Sequence, residues 1–114
     1  MSIKSLTPST LAIAACVLLA FSAVAAAADL QAGEAKVKQI CQACHGLDGN
    51  TPIAENPTLG GQYPDYLAKA LRDYKSGLRK NPLMAGMAGT LSAQDIENVA
   101  AYYAAQPAVL VTRH

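Results

Sequence analysis

Cys41-Gln42-Ala43-Cys44-His45 is the stretch on which the reading of this chain turns. Two thiols one helical turn apart are followed at once by an imidazole, which is the c-type haem attachment pattern. Each thiol can add across one vinyl group of a single porphyrin, and the histidine that follows is carried to the iron, where its Nε2 can bind. Three other uses of the pair compete. A thioredoxin-like dithiol expects a strand-then-helix context, and no β-rich run precedes Cys41. A structural zinc site needs four N or S ligands, whereas the only other histidine is the terminal His114 and no second pair of cysteines exists. A simple disulfide would leave His45 without a purpose.

Working outward, the chain before the motif divides into an export signal and a first helix. Met1 to Thr10 carries one cation, Lys4, and is followed by the apolar run Leu11–Ala25 and the small-residue stretch Ala23–Ala28. These are the three parts of a secretory signal peptide, so residues 1–28 are expected to be cleaved and residues 29–114 to form the working domain. An uncleaved anchor is the alternative, because the run approaches the roughly 18 to 20 residues that span a bilayer. A lipid-modified Cys16 is disfavoured, because the apolar run continues well past it. Loss of Lys4 leaves a formally neutral domain, which excludes a basic nucleic-acid-binding module. Of 114 residues 52% are hydrophobic, yet there is no Trp, and the single Phe, Phe21, lies in the signal. A small core this poor in aromatic bulk calls for a bound group at its centre.

Within residues 29–114, Asp29 can cap a helix in which Gly33, Val37, Ile40, Cys41 and Cys44 recur on one face. His45 to Gly61 is dense in turn formers and reads as a long loop. A second helix fits Pro64 to about Leu78: Pro64 suits the first position, Leu67, Ala70, Leu71 and Tyr74 form a stripe, Asp65 and Lys69 make an i,i+4 pair, and Gly77 ends it. Asn81 to Thr90, broken by Pro82, Gly86 and Gly89, reads as a second loop. The last helix opens at Ser92 with Asp95 at the matching third position, buries Ile96, Val99, Ala100 and Tyr103, and stops before Pro107. The fold class is therefore all-α, three main helices with two long loops wrapped around one covalently bound haem. Loops of this length are acceptable when they line a large ligand.

A second axial ligand completes the iron site. Met84 and Met87 are the candidates in the mature chain apart from His114 and the amines; a thioether favours reduced iron, although a methionine in such a place also serves as ordinary core filling.

The chain resembles the small bacterial class I cytochromes c, particularly single-haem domains related to the two-haem periplasmic cytochromes. The resemblance rests on Cys41 to Gly46, Asp48-Gly49-Asn50, Pro57 to Gln62, and Leu91-Ser92 leading through Asp95-Ile96 to Tyr103. In that family the ligand methionine lies seven positions before the Leu-Ser pair, which selects Met84 over Met87 and leaves Met87 to pack the pocket. The resemblance also implies that the Pro57 carbonyl accepts a hydrogen bond from His45 Nδ1, and that Gly33, with Val99 and Tyr102, marks a close crossing of first and last helices. Tyr63 and Tyr66 suit either donation to a haem propionate or ordinary half-buried positions.

The implied function is that of a monomeric one-electron carrier of the periplasm rather than an enzyme, since His45 and Met84 would fill both axial positions. Its partners would be a quinol-oxidising complex, a terminal oxidase or a periplasmic dehydrogenase. Two rivals remain: a haem sensor or peroxidase-like protein with a labile sixth ligand, and a cytochrome subunit held by a larger dehydrogenase. Lys69, Arg72, Lys75, Arg79 and Lys80 gather around the second helix, as a solvated face or as a steering patch for an acidic partner.

Overall fold

The computed structural model describes Ser2 and residues 26–109. Most of the expected signal segment, Cys16 included, and His114 lie outside the described residues. Five helices follow in order: α1 (Leu30–Ile40), α2 (Gln42–His45), α3 (Pro64–Ser76), α4 (Pro82–Gly89) and α5 (Ala93–Ala104). The described residues contain no strand, and no helix among them is long and apolar enough to cross a membrane.

Local chemistry explains where the helices start and stop. Asp29 caps α1, its carboxylate accepting from the N–H groups of Gln31 and Ala32 at 2.9 and 3.0 Å. At α5, Ser92 and Asp95 satisfy each other's backbone N–H in a reciprocal capping box. Gly77 closes α3 with φ 83, a left-handed conformation that a side chain would strain.

Two details differ from the sequence reading. Lys69 pairs with Asp73 rather than Asp65, which sits in the first turn of α3 where the unpaired helix N–H groups favour a carboxylate. The stretch Asn81–Thr90, expected to be an irregular loop, contains the helix α4. Pro82 occupies its first position, where a missing N–H costs nothing, and Asn81 caps it by accepting from the Met84 N–H at 3.0 Å. Gly86 and Gly89 face open space and are tolerated there.

Packing centres on α5. It crosses α1 and lies against α3, while α4 packs on α3. Val37, Leu67, Leu91, Ile96, Val99, Tyr102 and Tyr103 are the large buried residues of the core. The α1–α5 crossing depends on Gly33, because a Cβ there would come within 2.2 Å of the Asn98 carbonyl and 2.9 Å of the Tyr102 Cβ. Tyr102 is thus a close neighbour of Gly33, as expected, and Asn98 is a further one. The Asn98 side-chain oxygen accepts from the Asp29 and Gln94 nitrogens at 2.8 and 2.9 Å, so that buried oxygen is satisfied.

Candidate functional site

The turn at Cys41 interrupts the first helix, and α2 carries the motif histidine inward. His45 is only 7% exposed, and its Nδ1 lies 3.0 Å from the Pro57 carbonyl. A carbonyl oxygen can only accept, so Nδ1 carries the proton and the Nε2 lone pair is left available. Two further contacts hold this region. The Asn56 amide donates to the Cys44 carbonyl at 2.7 Å, and the Tyr103 hydroxyl donates to the Gly46 carbonyl at 3.0 Å. Burial raises the Tyr103 pKa, which keeps that hydroxyl protonated as a donor. None of these three loop contacts except the Pro57 one was expected from sequence, because each joins groups whose proximity depends on how the chain returns.

Behind His45 the loop is compacted by backbone approach. A Cβ on Gly49 would fall 2.5 Å from the Gly60 nitrogen, and one on Gly60 would fall 2.5 Å from the Asp48 carbonyl. Asn50 ties the loop to the segment after α5 by donating to the Pro107 carbonyl at 3.0 Å.

A cavity of about 270 Å³ opens beside this assembly. Cys41, Cys44 and His45 line it, and so do Pro57, Met84 and Met87. Both methionines belong to α4, three positions apart and hence on neighbouring parts of one helical face. Met84 is half-buried and Met87 is 39% exposed. Tyr66 also reaches the cavity lining, whereas Tyr63 does not and is 79% exposed.

The donor set fits a haem. The two cysteines are free thiols, as thioether formation requires, and they share a wall with an imidazole whose outer nitrogen is already engaged. The rest of the wall is largely apolar, suited to a macrocycle, and includes Leu83. Burial pushes the Cys41 thiol up to about 11, the reverse of the lowered pKa on which a thiol–disulfide exchange site depends. Among the described residues no cluster of three or more His, Cys, Asp or Glu could hold a bare metal ion.

An all-helical domain with a CxxCH wall facing a methionine-bearing helix defines a c-type cytochrome domain. Residues 28–102 match the family described as Cytochrome C oxidase, cbb3-type, subunit III, and the chain belongs to that cytochrome c family. It is 48% identical over 79 residues to cytochrome c4 of Thiocapsa roseopersicina, covering 69% of this chain and 41% of that one. It is 43% identical over 83 residues to cytochrome c-554(548) of Halomonas halodenitrificans, covering 70% and 99% respectively. The crystal structure of reduced recombinant cytochrome c4 from Pseudomonas stutzeri superposes with a TM-score of 0.66 at 44% identity, over 71% of this chain and 47% of that one. The chain therefore spans less than half the length of these cytochrome c4 relatives.

Proposed function

We propose that residues 29–114, freed of the signal 1–28, form a periplasmic one-electron carrier with one covalent haem c. In this reading Cys41 and Cys44 would hold the macrocycle, His45 Nε2 and the Met84 sulfur would hold its iron, and Pro57 would orient the imidazole. The haem supplies a reversible Fe(II)/Fe(III) couple. The protein's contribution is to hold the ligand set still: a ring fixed at Nδ1 cannot rotate away, and the hydrogen bond makes its other nitrogen a better donor. Two side chains committed to the iron, His45 and Met84, would leave it no position for a substrate, which favours a carrier over an enzyme.

The observation that carries this reading is the buried His45 ring, pinned to the Pro57 carbonyl on a cavity wall shared with both cysteines. Haem staining and intact mass of the exported protein test it. One haem added to a chain that begins near Asp29 is the expected result; polypeptide without porphyrin mass contradicts it.

The partners are proposed to be redox proteins: a quinol-oxidising complex, a terminal oxidase or a periplasmic dehydrogenase. Relatives named as a thiosulfate dehydrogenase electron acceptor and as a cytochrome subunit of sulfide dehydrogenase support the dehydrogenase side. They also favour a second reading, a subunit held by a catalytic chain. Gel filtration of native extract separates the two, since a free carrier elutes at its own size as a monomer.

A further inference from the structure

Of the cations carried by α3, Lys69 pairs with Asp73 and Arg72 with Glu97 at 2.6 Å, whereas Lys75 pairs with no carboxylate among the described residues. Its ammonium donates instead to the backbone carbonyl of Leu91, at the joint between α4 and α5. That carbonyl needs a donor. By helical spacing the Asp95 N–H would close a turn onto it, but the Ser92 hydroxyl takes that N–H at 3.0 Å as the cap of α5. Leu91 is 2% exposed, so its backbone oxygen is poorly placed for water and gains from a charged donor.

The place of this tie matters to the helix that carries the methionines. The Leu91 N–H donates to the Ala88 carbonyl at 3.1 Å, and Thr90 donates to the Met87 carbonyl through its N–H at 3.2 Å and its hydroxyl at 2.8 Å. Leu91 is therefore bonded directly to the last turn of α4. At the other end Asn81 accepts from the Met84 N–H at 3.0 Å. Between these ends α4 buries one residue, Ala88, and packs on α3, the helix that supplies Lys75. So short a helix takes its position from its surroundings rather than from its own stability. Its trailing end is fastened to α3 by the Lys75 side chain.

We propose that Lys75 is a positioning residue for the sixth ligand: by binding the Leu91 carbonyl it holds the trailing end of α4 and keeps the Met84 sulfur in place. Lys75 does not line the cavity, and it acts through the backbone of α4 rather than on the cofactor. The inference rests on the haem reading above, with Met84 as ligand.

The test compares purified ferric holoprotein with Lys75→Met, Lys75→Arg and Arg72→Gln, measuring the rate at which imidazole displaces the sixth ligand and the midpoint of denaturant unfolding. Lys75→Met keeps the stem and loses the donor, and displacement is expected to be on the order of tenfold faster, as loss of one charge-assisted hydrogen bond implies. Lys75→Arg restores a charged donor and recovers most of the wild-type rate. Arg72→Gln removes a cation of the same helix together with its tie to α5, and exchanges ligand like wild type. The unfolding midpoints of Lys75→Met and Arg72→Gln agree, which marks the loosening as local. Should Lys75→Met yield no holoprotein, Lys75→Gln, shorter and uncharged, takes its place with the same expectation. An unchanged rate in Lys75→Met, no recovery in Lys75→Arg, an equal acceleration in Arg72→Gln, or an unfolding midpoint in Lys75→Met well below that of Arg72→Gln overturns the inference. Those outcomes leave the haem reading standing, whereas a wild-type chain without covalent haem, or a ferric thioether band that survives Met84→Ala, removes that reading itself.

Discussion

The two walls of the cavity are built differently. The histidine wall is tied down at many points: Asp29 and Asn98 at the α1–α5 crossing, Asn56 on the Cys44 carbonyl, Tyr103 on the Gly46 carbonyl and Pro57 on the His45 ring. The methionine wall is α4, a helix of 8 residues with one buried residue, Ala88, and side-chain caps from Asn81 at its start and Thr90 at its end. It packs on α3 and leaves Leu83 and Met87 to the cavity. A histidine tied from several sides, sharing a cavity with a methionine on a short helix with one buried residue, predicts that the protein loosens first at the sulfur.

The largest effect is expected where the firm wall is crossed by backbone. Gly33→Val would drive a side chain into the Asn98 carbonyl and should destabilise the holoprotein by about 3 kcal/mol, read by denaturant unfolding. Next comes Asn56→Ala, which frees the Cys44 carbonyl and should cost about 1 kcal/mol by the same measurement. Asn81→Ala removes the α4 cap, also worth about 1 kcal/mol, but its effect should be local. Imidazole should displace the sixth ligand of the ferric protein faster while the unfolding midpoint barely moves. If Asn81→Ala lowered global stability as much as Gly33→Val, the contrast between the walls would be wrong.

The smallest effect is acid dependence. Asp95 is held below the usual carboxylate range, chiefly by the Ser92 backbone N–H, then by the Ser92 side chain and by Lys36 at 3.6 Å. A lowered folded pKa contributes stability above about pH 4, the unfolded value, and that contribution is lost as pH falls through the folded one. Asp95→Asn should therefore flatten the acid limb of the stability profile, by about half a kcal/mol at most for so exposed a pair. An unchanged acid limb would remove Asp95 from the account.

How much could be read in advance follows the same division. Caps at Asp29 and Ser92 and the stop at Gly77 are local chemistry and were legible, as was the clustering of Ile96, Val99, Ala100 and Tyr103 on one face. The helix α4 was not, because Pro82 and two glycines count as breakers until the position of the proline is known. The contacts of Asn56 with the Cys44 carbonyl and of Tyr103 with the Gly46 carbonyl escaped notice for another reason: each reaches a group brought near by a chain reversal, and no spacing encodes that. Met84 and Met87 were named together from sequence, and the fold keeps both on the cavity.

The most direct measurement is the ferric thioether–iron charge-transfer band in holoprotein bearing Met84→Ala, set beside Met87→Ala. Loss of the band in the first and its retention in the second is the predicted result. A band that survives Met84→Ala would contradict the assignment of that sulfur to the iron.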